Sequence, residues 1–323
     1  MIPPPRSVLL IKPGSMGDVI HALPVASAIH QAWPDAALTW IADPRWAPLL
    51  AGNPAVSRVV HFPRETFRGA VGCLRAVRWY ARLGGLRPDV VVDLQGLLRS
   101  ALIAKCAGGR LVCGLDDARE GAGIFYHRRA ATVPDEHAVH RYLRVLPLLG
   151  IQIPEQPEFP LPPGIPPPLP SGCVVLHPFA RGAGKSLSPE AIRTFLREFG
   201  ALSDAPVVLV GTGVAPDRLP DRVISLVGKT SLDGLVGVLR AASFVVSADS
   251  GPSHLAAALG SPLLAIHTWS DPRLVGPCHA GAWIWQGGEI RRQDPGVPPL
   301  PEMPFTESAA KETARFVAGL PRY

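Results

Sequence analysis

Apolar residues in this chain fall into short unbroken runs separated by longer stretches of helical periodicity. Residues 7–12 (SVLLIK) form the first run, end at Pro13-Gly14, and predict a buried strand. Residues 16–33 carry apolar positions at helical spacing. Residues 38–42 predict a second strand, and 56–62 contain a third. A helix with arginines on its outer face is expected over 66–83, a continuously apolar strand over 90–94, and a helix over 97–107. The stretch 154–170 is dense in proline, has no amphipathic period, and reads as a stiff linker. The alternation then restarts, with strands at 173–177, 207–210, 244–247 and 263–267 and helices at 188–199, 232–241 and 252–259. An amphipathic helix closes the chain at 306–320. Strands that are apolar throughout and alternate with helices indicate parallel sheets covered on both faces. The expected fold class is α/β, with two Rossmann-like, doubly wound domains (1–153 and 171–304) facing a central cleft. Ligands of such folds bind at strand carboxyl ends.

Composition narrows the class. With 323 residues, 47% hydrophobic and 18% charged, the chain can bury two cores and is not a disordered polymer. Its five cysteines are dispersed, with no CxxC pair and no clustered histidines, which argues against a disulfide framework or a zinc site and suits a reducing cytoplasm. No secretory signal and no apolar run of membrane-spanning length is present. Charge is uneven: residues 1–150 hold 18 Lys/Arg against 11 Asp/Glu, a net of +7, while the rest of the chain is near neutral. A basic first half suits an acidic substrate or an anionic membrane surface, and equally suits solvated helix faces. The arginines are spread out without interleaved aromatics, so nucleic acid is not an expected partner.

Three strand-to-helix turns carry candidate chemistry. In KPGSMGDVIH (12–21), Gly14 and Gly17 permit a tight turn and close ligand approach, and Ser15 lies between them. Asp18 at the helix start can accept a proton from an attacking hydroxyl or simply cap the helix; residue type and spacing allow both. In HPFARGAGKS (177–186), Arg181 and Lys185 in a glycine-rich turn suit a diphosphate, or form a basic surface loop. In ADSGPSH (248–254), Ser250, Gly251 and the first helical amides form a candidate phosphate cradle. There Asp249 either positions a sugar hydroxyl or braces the loop, and His254 either donates to a phosphate or is a core histidine. None of these turns is a Walker loop or a GxGxxG fingerprint, so NTP hydrolysis and NAD chemistry are not supported.

These segments together resemble the bacterial lipopolysaccharide heptosyltransferases, glycosyltransferase family 9, and within them the heptosyltransferase I branch. The resemblance is carried by KPGSMGDVIHALP (12–24), DLQGLLRSAL (93–102), GLDDAREGAGIFYHRR (114–129), HAVHRYLR (137–144), ADSGPSHLAAAL (248–259) and Ser270-Asp271-Pro272. It implies a GT-B fold with the final helix (305–323) packing back on the first domain. It implies an inverting transfer, without metal or cofactor, from ADP-L-glycero-D-manno-heptose to the Kdo region of lipid A, by a cytoplasmic enzyme that can rest on the inner membrane. By position, Asp18 matches the general base, and Gly14, Ser15 and Gly17 surround it. Lys185 matches the lysine on the donor diphosphate. Asp249, Ser250, Gly251 and His254 match the donor turn, and Lys229, Thr230 and Ser231 lie where the family holds adenine. Arg119, with Arg64 and Arg68, matches the basic residues that meet the acceptor.

The chain departs from the family around the donor. Ala180-Arg181 replaces small hydroxyl residues, and Leu187 replaces an aromatic. The turn Gly211-Thr212-Gly213 lacks a clear acidic ribose partner, for which Asp217 is a weak candidate, and His267-Thr268-Trp269 differs from the common form. Two other readings stay open on sequence: a related glycosyltransferase with another nucleotide sugar or acceptor, and a non-catalytic nucleotide-sugar-binding protein.

Overall fold

The computed structural model describes residues 3–182 and 184–321. The chain divides into two compact units that meet between Pro162 and Pro163.

The first unit contains β1 (Ser7–Ile11), α1 (Met16–Ala32), β2 (Ala37–Ala42), β3 (Arg58–His61), α2 (Gly69–Leu83), β4 (Val90–Asp93), α3 (Leu98–Cys106), β5 (Leu111–Leu115), β6 (Arg128–Ala130) and α4 (Ala138–Leu143). Its six strands are parallel, in the order β3-β2-β1-β4-β5-β6. β4 is VVVD with every residue buried, as a strand covered on both faces requires. α1 is apolar almost all round because α4 packs on it as well as the sheet. The helix expected over 66–83 is interrupted. A 3-10 turn at Arg64–Phe67 comes first, Arg68 is extended, and α2 begins at Gly69, whose φ is 71°. Gly72 then lies so close to this turn that a Cβ would sit 2.4 Å from the carbonyl carbon of Phe67.

The second unit contains β7 (Val174–His177), α5 (Pro189–Leu202), β8 (Val207–Leu209), β9 (Val223–Ser225), α6 (Leu232–Ala241), β10 (Phe244–Ala248), α7 (Gly251–Ala258), β11 (Leu263–Ile266), α8 (Pro272–Val275), β12 (Trp283–Gln286), β13 (Glu289–Arg292) and α9 (Glu307–Gly319). The seven-stranded sheet runs β13-β12-β11-β10-β7-β8-β9, and only β13 is antiparallel. Both sheets therefore reverse strand order beside their first strand, between β1 and β4 and between β7 and β10. In doubly wound sheets that reversal opens the ligand crevice.

Hydrogen bonds tie the proline-rich stretch down on both sides of the boundary. Glu158 accepts from Ser27 and Gln31, and the Pro160 carbonyl accepts from Asn53. Beyond the boundary, the Pro163 carbonyl accepts from Arg240 and the Ile165 N–H donates to the Asp233 carbonyl. α9 lays Ala310, Ala314 and Val317 into the core of the second unit against α5. Thr194 of α5 donates to Glu307 across that contact. Amphipathicity shows that a helix docks, not on what. No described helix is long and apolar enough to cross a membrane.

Candidate functional site

In the first unit the site begins where β1 ends. Lys12 is 3% exposed. Its ammonium donates to the Leu94 carbonyl at 3.1 Å, lies 3.3 Å from Asp18 Oδ1, and sits 4.5 Å from the centre of the Tyr142 ring. The Tyr142 hydroxyl donates to Asp18 Oδ1 at 2.9 Å. The other carboxylate oxygen accepts from the Ser15 N–H at 2.7 Å and the Ser15 hydroxyl at 2.9 Å. Burial alone would raise the pKa of Asp18. The Lys12 charge and the hydrogen bonds from Ser15 and Tyr142 outweigh it and hold the carboxyl well below its usual range. Burial pulls the Lys12 pKa down, against Asp18, and burial with Asp18 pushes the Tyr142 phenol up. The result is a fixed carboxylate whose side chain is still 36% exposed, enough to meet a ligand.

Gly14 cannot carry a side chain here, since a Cβ would lie 2.9 Å from the Trp46 indole. Gly17 is buried in the first turn of α1. Arg119 is exposed, and its N–H donates to the Gly96 carbonyl in the loop after β4. Arg64 is exposed in the 3-10 turn before α2, and Arg68 pairs with Glu65 at 2.8 Å.

In the second unit the turn after β10 opens α7. Ser250 is the residue before the helix, with its hydroxyl donating to the Ala248 carbonyl and lying 3.3 Å from His177 Nδ1. His177 ends β7, and burial lowers its pKa to about 4, which keeps it neutral near pH 7. Asp249 accepts from the Ser270 hydroxyl at 2.6 Å. Ser270 has one proton to give, so its 2.8 Å contact with His267 Nδ1 is a bond donated by the imidazole. Burial lowers the pKa of His267 as well. The Asp249 carboxylate ties the turn to Ser270. His254 Nε2 lies 4.0 Å from Asp249 Oδ1 on the same turn.

The loop carrying Arg181 and Lys185 is closed by Ser186, whose hydroxyl accepts from the Ala180 N–H and donates to the Ala180 carbonyl. The Lys185 ammonium lies 3.3 Å from the centre of the Trp269 ring, and both line a cavity of about 500 Å³ with Thr268, Glu302 and Met303. Arg181 is exposed on the same loop. Lys229, Thr230 and Ser231 follow β9. Lys229 donates to the Ser225 carbonyl, and Ser231 caps α6 by accepting from the Gly234 N–H. The turn Gly211-Thr212-Gly213 has a packing reason: Cβ atoms at Gly211 and Gly213 would lie 2.6 and 2.1 Å from the Phe179 ring. Asp217 is exposed.

Sequence reasoning assigned no role to Lys12, Tyr142, His267, Ser270 or Trp269. All five lay inside recognised segments or their named departures, but Tyr142 meets Asp18 across 124 residues, a distance no local spacing encodes. Trp269 was visible only as a departure, and its contact with Lys185 gives that departure a physical meaning.

The sequence profile described as Glycosyltransferase family 9 (heptosyltransferase) matches residues 77–162 and 214–293. The chain is 32% identical over 291 residues to lipopolysaccharide heptosyltransferase 1 of Escherichia coli strain K12, covering 83% of this chain and 90% of that protein. It is 30% identical to lipopolysaccharide heptosyltransferase 1 of Pseudomonas aeruginosa, covering 83% and 80%. The E. coli heptosyltransferase WaaC with ADP superposes with a TM-score of 0.79 at 26% identity, covering 96% of this chain and 98% of that one. The same enzyme with ADP-2-deoxy-2-fluoro heptose gives a TM-score of 0.75 at 27% identity, over 96% and 99%. These matches agree with two doubly wound sheets of the GT-B plan, and the chain belongs to glycosyltransferase family 9, the heptosyltransferases.

Proposed function

We propose that the chain transfers heptose, with inversion and without a metal, from ADP-L-glycero-D-manno-heptose to Kdo of the lipid A inner core. The observation that carries this reading is the carboxylate of Asp18, held ionised by Lys12, Ser15 and Tyr142 at the strand-order reversal of its sheet and open to ligand. The names of the relatives support the substrates: two are lipopolysaccharide heptosyltransferase 1, and a solved relative carries an ADP-heptose analogue.

In this reading Asp18 is the general base. As the acceptor oxygen bonds to the anomeric carbon, its proton passes to the carboxylate and the bond to the ADP phosphate breaks, so ADP leaves. A carboxylate of depressed pKa does not strip a free hydroxyl. It takes the proton late, when bond formation has made the hydroxyl acidic. Gly14, Ser15 and Gly17 let the acceptor approach, and Arg119, Arg64 and Arg68 meet its anionic groups. Lys185 and Arg181 offset the leaving diphosphate together with the amides at the start of α7, around Ser250, Gly251 and His254. Lys229, Thr230 and Ser231 hold the adenine. Asp249 serves by holding the turn in shape. The enzyme works in the cytoplasm, where its donor is available.

Product mass spectrometry tests this. Purified protein with ADP-heptose and Kdo-bearing lipid A is expected to add one heptose mass to the acceptor. The departures from the family at Ala180-Arg181, Leu187 and His267-Thr268-Trp269 support one alternative, a different nucleotide sugar. Transfer from a UDP- or GDP-sugar with none from ADP-heptose would establish that alternative in its place.

A further inference from the structure

α2 carries three stripes along its length. Gly72, Ala76, Trp79, Tyr80 and Leu83 face the unit, where Trp79 and Tyr80 pack beside the Phe62 and Leu83 core and the Trp79 indole donates to the His61 carbonyl. Ala70, Leu74, Val77 and Ala81 repeat at the same helical spacing and are all exposed, Leu74 at 53% and Val77 at 65%. Beside them run Val71, Arg75, Arg78 and Arg82, with Val71 66% exposed. A surface helix needs only one apolar stripe to dock on its own domain. This one has a second, and it points to solvent.

The neighbouring elements extend the same surface. α3 packs beside α2 and exposes Leu98 and Leu102, and the 3-10 turn Ala122–Phe125 packs beside α3 and exposes Ile124 at 86%. Lys105 of α3 lies over the Phe125 ring. Neither α2 nor α3 contains an acidic residue. Of the acids in the flanking turns, Glu65 pairs with Arg68, Glu120 accepts from the Leu98 N–H, Asp117 pairs with Arg141 and Asp116 accepts from Thr132. Apolar side chains standing among arginines, with no acid between them, match an anionic bilayer. Guanidinium groups reach the headgroup phosphates while Leu and Val side chains enter the acyl boundary. A second copy fits poorly, since a two-fold contact through this face would set arginine against arginine.

We infer that α2, with Leu98, Leu102 and Ile124 beside it, is a docking face for anionic phospholipid membranes. The inference rests on this surface alone and needs neither the donor nor the acceptor assignment.

Flotation of the full chain with vesicles of phosphatidylcholine, alone or mixed with phosphatidylglycerol, tests it. The wild type is expected to float with the anionic vesicles and far less with the neutral ones, and added salt should weaken that binding. Two variants, Leu74→Ser/Val77→Ser and Arg75→Gln/Arg78→Gln/Arg82→Gln, should each lose binding at least about tenfold. Both sets of positions are exposed, so thermal melts should match the wild type. Turnover of a water-soluble, delipidated acceptor should also be unchanged; if no form of the protein transfers heptose, the functional reading fails while the docking result stands. The inference is overturned if the wild type ignores both vesicle types or if the variants bind as it does. It is overturned too if light scattering shows a vesicle-free dimer that Leu74→Ser/Val77→Ser dissolves.

Discussion

The turns at the two strand-order reversals solve opposite electrostatic problems. After β1 the chain buries a cation, Lys12, against Asp18 and holds one negative charge in a fixed place. After β10 it does the reverse: the buried titratable groups His177 and His267 are kept neutral by burial, and hydroxyls link them to the turn. Lys185, a cation of that unit, rests on the Trp269 ring beside a cavity rather than in a buried ion pair among the described residues. A group that receives a proton needs a set charge and position. A group that meets a charged ligand gains by giving up only a weak contact when the ligand arrives, because desolvating a locked ion pair would oppose binding.

The comparison breaks first at Asp18. Asp18→Asn should lower kcat by about 10²–10⁴-fold, with donor affinity by calorimetry changed less than about twofold. Normal turnover would end the assignment of a base to the first unit. The neutral character of the second unit is tested by pH. His177 has its folded-state pKa lowered from 6.5 to about 4. Between those values the unfolded chain binds a proton that the folded chain refuses, so stability falls as pH drops through this window, by up to about 3 kcal/mol. Urea unfolding of His177→Asn against wild type should show that this part of the acid sensitivity is gone. Lys185→Ala should raise the donor KM about ten- to a hundredfold with little change in melting temperature, the value of a charged hydrogen bond to phosphate. Ser270→Ala leaves Asp249 and His267 without their shared partner. It should cost about 1–2 kcal/mol in urea unfolding and raise the donor KM about threefold. A larger effect on KM than that of Lys185→Ala would reverse the roles given to the two.

Legibility in the sequence follows the same division. Runs such as 90–94 were readable because burial on both faces leaves no polar position to blur the strand. β6 (RRA) and the β12–β13 hairpin were not, being three to four residues long and rich in arginine or tryptophan. The break before α2 was hidden because it depends on Gly72 lying against the Phe67 backbone, a contact made in three dimensions. Asp18 was visible both as a cap and as a base. The structure shows these to be compatible, one oxygen reaching back to Ser15 and the other facing Lys12 and Tyr142. What sequence could not supply was the cation and phenol that set its charge.

The charge state of Asp18 carries the account, and carbon-detected NMR of the aspartate carboxyls, with Asp18 assigned by comparison with Asp18→Asn, reads it directly. The account predicts a carboxylate whose shift stays flat from neutral pH down to the acid limit of folding. A protonation midpoint at or above the ordinary aspartate value of about 4 would contradict it.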